Sequence, residues 1–129
     1  MDAIIRKLQT LKKQALAEYS HFHVAAILVT REGQEISGFN IESSSYSLTI
    51  CAERVALFKA LSEGYREFKE IYIMSDDERP CPPCGACRQV LLDYAPDIQV
   101  VMVGASGEMQ KVPLRDLLPY AFDKQRLIR

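Results

Sequence analysis

The sequence has no tryptophan, only two histidines, and aromatic residues at 9% of its 129 positions. It also has no excess charge of either sign: 16 Lys and Arg stand against 17 Asp and Glu, a formal net charge of −1. A basic surface interleaved with aromatics is therefore missing, which excludes the usual nucleic-acid footprint. No long hydrophobic run occurs. The longest, Val24 to Val29, is far too short to cross a bilayer. The opening stretch MDAIIRKLQTLKKQ carries charges throughout, unlike a secretory leader. Glycine and proline number six each, and no repeat or linker interrupts the chain. These absences predict a single domain over residues 1–129, cytoplasmic, with no membrane or nucleic-acid partner.

What the sequence does contain is four cysteines, three of them in CPPCGAC at residues 81 to 87. In a reducing compartment clustered cysteines point to metal or redox chemistry more than to disulfides. Cys81, Cys84 and Cys87 are equally spaced, and Cys51 is the fourth thiol. Three arrangements follow. A ferredoxin-like iron–sulfur run needs a further Cys-Pro close behind, and Leu91 and Leu92 stand there instead. A closed four-cysteine structural zinc site would use Cys81, but Pro82 and Pro83 stiffen the chain where a metal knuckle wraps. Three thiolates with an open fourth position would make a catalytic zinc site.

Hydrophobic periodicity orders the elements as α-β-β-α-β-α-β-β-α. Ile4, Leu8, Leu11, Ala15 and Tyr19 are spaced for a helix over 3–19. FHVAAILVT (22–30) and EISGFN (35–40) read as a hairpin across REGQ. The Ser-rich run 41–49 reads as a loop ending near a cap at Thr49. A helix from Cys51 to Ser62 stops at Gly64, and its apolar middle predicts cover on most faces. A strand over 69–75 leads through a proline-rich loop to a helix over 85–94, with Val90, Leu91 and Tyr94 inward. Strands over 98–103 and 109–113 flank a short turn and so should be antiparallel. Leu114 to Leu118 is a short helix before a basic tail. One mixed sheet with helices packed on it is the implied architecture.

Cys84 and Cys87 are one helical turn apart at a helix start, and Cys51 begins another helix. Helix N-termini lower thiol pKa values and favour anions. Glu53 stands two residues after Cys51 in a mostly apolar helix. It reads either as a solvent-facing first-turn carboxylate, contributing up to about 1 kcal/mol, or as a proton carrier beside a metal.

C-A-E at 51–53 with P-C-x-x-C at 83–87 resembles the zinc deaminase signature, with Cys in place of the first His. YSHFHVAAILV, GFNIESSSY, TICAERVALFKALSEGY, PCGACRQVLL and LLPYAF resemble, in order, the small homotetrameric zinc-dependent cytidine deaminases. The similarity runs from about Tyr19 to Phe122. It implies a three-layer α/β deaminase fold, a five-stranded mixed sheet with helices on both faces. It implies hydrolytic deamination of cytidine or deoxycytidine to uridine or deoxyuridine by zinc-bound hydroxide, in pyrimidine salvage. By the same resemblance Cys51, Cys84 and Cys87 hold one Zn2+ per chain and Glu53 is the proton shuttle. Arg54 matches an arginine that hydrogen-bonds the zinc thiolates, where the bland reading is a surface salt bridge. Asn40 and Glu42 match an N-x-E that holds the ribose; otherwise they are an ordinary polar loop. Phe22 matches an aromatic against the pyrimidine, or is simply a core strand residue. The backbone N–H of Ala52 would bind the pyrimidine O2. Phe122 matches a tail aromatic reaching a neighbouring subunit's site, and Tyr46 a tyrosine near the subunit interface. His21 and His23 read as surface or strand-end packing, and Cys81 as a spare thiol.

The chain departs from the family pattern in places. F-P-V-G-A-A reads F-H-V-A-A-I here, N-I-E-N-A-S-Y reads N-I-E-S-S-S-Y, and S-P-C reads P-P-C. These changes bear on substrate preference more than on the metal chemistry. Two rival functions remain at this point: a deaminase of a cytosine nucleoside analogue of the blasticidin type, and a non-catalytic zinc-stabilised binding module.

Overall fold

The computed structural model describes residues 2–127. Helix α1 (Asp2–Gln14) precedes strands β1 (Ala25–Thr30) and β2 (Glu35–Phe39), then helix α2 (Ala52–Ser62) and β3 (Phe68–Met74). Helix α3 (Gly85–Tyr94), β4 (Gln99–Val103) and β5 (Met109–Pro113) follow, with 3-10 turns at Tyr46–Leu48, Leu114–Leu117 and Lys124–Arg126.

All of β1 is buried, so alternate side chains serve two cores. Ala26 and Leu28 join Ala56, Leu57 and Ala60 of α2 and Leu91 and Leu92 of α3. Ala25, Ile27 and Val29 join Leu8 of α1 on the other face. Helices thus cover both faces of a five-stranded sheet, and the three-layer α/β expectation is met. The strand order is β2-β1-β3-β4-β5. Among the five strands described, only the β3–β4 pair is parallel, and α3 forms its crossover. The loop at the carboxyl end of β3 carries Cys81 and Cys84, and Cys87 follows in the first turn of α3.

One close approach fixes α2 on the sheet. A Cβ at Gly38 of β2 would lie 2.6 Å from the Ala56 nitrogen and 2.7 Å from the Ala52 carbonyl oxygen. Only glycine lets these backbones meet, and the contact seats the first turn of α2.

Four local expectations fail. The helix over 3–19 ends at Gln14, because Leu16 pairs with Ile41: Leu16 N–H donates to Asn40 O at 3.0 Å and Glu42 N–H to Leu16 O at 2.9 Å. The strand over 22–30 begins only at Ala25. The cap of α2 is Cys51, not Thr49. On α3 Leu92 faces inward and Tyr94 is 53% exposed. The final basic residue of the tail, Arg129, lies outside the described residues.

Candidate metal centre and active site

Cys51 is the N-cap of α2 and Cys84 the N-cap of α3, both with extended backbone. Neither thiol caps its own helix; both turn toward each other instead. Cys51 Sγ and Cys84 Sγ are 3.6 Å apart, and Cys84 Sγ and Cys87 Sγ 3.3 Å. All three sulfurs lie within 4.8 Å of one another. A tetrahedral zinc with bonds of about 2.3 Å needs sulfurs about 3.8 Å apart, so the three residues fit the ion. Cys81 is not in the cluster; its Sγ approaches Pro82 O at 3.6 Å and burial raises its pKa.

Cys51 and Cys87 shift one another's acidity in opposite directions. The Cys51 pKa is lowered to about 5, first by a hydrogen bond from Cys87 and then by Arg54 and Cys84, against its own burial. The Cys87 thiol, as the donor to Cys51, is pushed up correspondingly, with burial adding to the shift. Metal binding replaces these protons.

Glu53 lies in the first turn of α2 and is 4% exposed. Among the described residues its Oε1 has no hydrogen-bond partner. Burial, with a further contribution from the Cys51 thiolate, pushes its pKa up to about 7. A buried carboxyl without a partner costs stability, and a carboxyl perturbed by burial next to a specific charge is a candidate functional group. Arg54 Nη2 donates to Cys51 Sγ at 3.5 Å, while its buried Nε has no partner among the described residues. Three thiolates would overcompensate a +2 ion, and the guanidinium is a positive charge in contact with one of them.

Asn40 is buried and bonds to Phe22 O (2.9 Å, from Nδ2) and Val24 N–H (3.0 Å, to Oδ1). Glu42 Oε1 accepts from the N–H groups of Tyr19 (2.9 Å) and Ser20 (3.0 Å), and Oε2 from the Ser20 hydroxyl. Tyr19, Ser20, Glu42, Tyr46 and Thr49 line a cleft of about 200 Å³, and the rings of Tyr19 and Tyr46 are 5.9 Å apart. Phe22 is 42% exposed and outside both cores. Phe122 is 56% exposed, its carbonyl held by Gln89 Nε2 at 2.8 Å.

The sequence reading missed several supports. Arg88 donates through Nε to Pro83 O and through Nη1 to Leu117 O, each at 2.8 Å, which ties the segment before Cys84 to the tail. The signal available was an arginine one residue after a ligand in a helical first turn. Ser20 as the partner of Glu42 had no local signal, because 22 residues separate them. His23 pairs with Asp76, at a strand approach as expected, though the partner was not foreseen.

A three-thiol cluster at two helix N-termini, with a buried carboxyl beside it on an α/β sheet, defines a metal-dependent hydrolytic site of the deaminase kind. Residues 1–105 match the family model described as the cytidine and deoxycytidylate deaminase zinc-binding region, and the chain belongs to that family. It is 45% identical over 120 residues to a cytidine deaminase of Halalkalibacterium halodurans, covering 92% of this chain and 91% of that one. It is 32% identical over 131 residues to a blasticidin-S deaminase of Bacillus cereus, covering 95% and 93%. A crystal structure of cytidine deaminase from Burkholderia pseudomallei superposes with a TM-score of 0.89 at 43% identity, covering 94% of this chain and 98% of that one.

Proposed function

We propose that residues 1–129 form one deaminase domain that converts cytidine or deoxycytidine to uridine or deoxyuridine, with zinc held by Cys51, Cys84 and Cys87. The carrying observation is Glu53: a buried carboxyl with an unpartnered oxygen, two residues from a cysteine of the cluster. Zinc, when bound, supplies a Lewis acid that makes water nucleophilic at neutral pH.

The residues supply the rest. Hydrolysis forms a C4–O bond, breaks the C4–N4 bond and releases ammonia. A proton taken from the incoming water must reach ring N3, and a further one the departing nitrogen. Glu53 carries both, because a carboxyl poised near neutrality accepts and returns protons with little cost in either direction. Arg54 holds the Cys51 thiolate charge in check. The Ala52 N–H, at the start of α2, is free of helix bonding and suited to the pyrimidine O2. Phe22 stacks against the base. Asn40 and Glu42 bind the ribose with their remaining hydrogen-bonding capacity beside the small tyrosine-lined cleft.

Assembly as a homotetramer follows the same reading. Tyr46, Leu48, Tyr120 and Phe122 are apolar side chains left exposed on one chain, and a neighbouring subunit would receive Phe122. Among the described residues no helix is long and apolar enough to cross a membrane, and we place the enzyme in the cytoplasm, where its thiols stay reduced. A second reading, an analogue deaminase, has the blasticidin-S deaminase relative in its favour.

The test is zinc content together with the ultraviolet change on incubation with cytidine and with blasticidin S, for wild type and Glu53→Gln. The expected result is about one zinc per chain in both, with turnover of cytidine by wild type alone. Full activity in Glu53→Gln sinks the proton-transfer role. Turnover of blasticidin S without cytidine selects the second reading, and zinc without any turnover selects a binding module.

A further inference from the structure

Phe22 packs into neither core, so its placement depends on what holds its backbone. His21, just before it, has φ 58°, and β1 begins only at Ala25. In the sheet Ala25 faces Phe39 of β2 on one side and Met74 of β3 on the other. Extending those registers sets Val24 opposite Asn40 and His23 opposite Asp76. At both positions a side chain supplements the ladder, which at the first keeps one backbone bond, Asn40 N–H to Val24 O at 3.3 Å.

On the β2 side Asn40 binds Phe22 O and Val24 N–H. On the β3 side Asp76 Oδ2 accepts from His23 N–H at 2.8 Å and lies 2.8 Å from His23 Nδ1. Phe22 N–H itself donates to Ser20 Oγ at 3.0 Å. The carboxylate is in turn anchored: Asp76 Oδ1 is 3.2 Å from Lys12 Nζ, which also donates to Ser75 O at 3.0 Å. Lys12 belongs to the last turn of α1. One carboxylate therefore joins α1, the end of β3 and the approach to β1. The family pattern places a proline at position 23, which has no N–H to give; this chain has a histidine, and the bond exists.

We infer that Asp76, anchored by Lys12 and gripping His23, is a positioning residue that sets the angle at which Phe22 meets the substrate's base. The inference rests on the deaminase reading above. Asp76 touches no reacting atom. It tightens binding of ground and transition states alike, which shows in KM and not in kcat.

The test is steady-state kinetics on cytidine with zinc content, for wild type, Asp76→Ala, Asp76→Asn, Phe22→Ala and the Phe22→Ala/Asp76→Ala double variant. Asp76→Ala should raise KM about tenfold, the size of a lost charged hydrogen bond, with kcat and zinc unchanged. Asp76→Asn keeps an acceptor for His23 N–H and should return KM to within about threefold of wild type. In the Phe22→Ala background the Asp76→Ala change should add nothing, because both remove one interaction. An unchanged KM in Asp76→Ala overturns the inference. So does an equal KM rise in the Phe22→Ala background, which would mean that Asp76 acts elsewhere. If Asp76→Ala does not fold, Lys12→Met leaves the carboxylate in place but unanchored, and its KM rise must likewise vanish in Phe22→Ala. A wild type that leaves cytidine unchanged overturns the deaminase reading itself, an outcome separate from all of these.

Discussion

Arg54 Nη2 donates to Cys51 Sγ across 3.5 Å, within one turn of the same helix. Its charge is spent on a thiolate and not on a carboxylate. Replacement by Ala should leave the three sulfurs in place but the charge of the cluster uncompensated. Zinc affinity or kcat/KM should fall about 10–100-fold, the usual effect of removing an outer-shell partner. Competition with a chromogenic chelator measures the first and steady-state kinetics the second. Wild-type values for both in Arg54→Ala would show that the contact has no role in tuning the centre.

Gly38→Ala should destabilise the protein by about 1–3 kcal/mol, since the added methyl meets backbone atoms that cannot rotate aside. The displaced first turn of α2 carries Cys51 at its cap, so zinc affinity should fall with it. Chemical denaturation and zinc titration of the same samples check the pair. Loss of stability with zinc affinity intact would separate the helix seat from the metal centre.

Glu42 gives a pH test with a defined sign. The Ser20 hydroxyl, then the Ser20 and Tyr19 N–H groups, hold its carboxyl below the ordinary range. The folded chain thus favours the ionised form more than the unfolded chain does. Its contribution is present above the ordinary carboxylate range and is lost as pH falls through it. Wild type should be more stable than Glu42→Gln near neutrality, and the gap should close on acidification to below the ordinary carboxylate range. Denaturant midpoints across that range provide the measurement. A gap that persists in acid would point to shape and not charge.

Cys81→Ser should keep its zinc, while Ser at 51, 84 or 87 should each lose most of it. Metal analysis after exhaustive dialysis decides this. Zinc lost from Cys81→Ser would bring Cys81 into the ligand set, which the sulfur geometry does not support.

Local chemistry made much of this molecule readable in the sequence. Gly64, with φ 96° just past the end of α2, and the prolines before α3 punctuate the chain where the structure does. The cysteine spacing and Glu53 marked the site because metal ligands and a carboxylate in an apolar helix are unusual in themselves. What stayed hidden depends on partners distant in sequence. Leu16 leaves the helical pattern for Ile41, and Asp76 in a polar loop gives no sign of His23, 53 residues earlier. The inward turn of Leu92 in place of Tyr94 likewise follows from where the sheet lies, not from the helix period alone.

The division of the thiols between one helix cap and another helix more than thirty residues later sets an order on biosynthesis. As the chain emerges, Cys51 appears with β1, β2 and the start of α2 but without the other two sulfurs of its cluster. At about 5–20 residues per second it waits several seconds for them. Capture of zinc by the full set of thiols thus waits until Cys87 has been made. Until then Cys51 is a lone thiol, open to oxidation, whose protection depends on the reducing capacity of its surroundings.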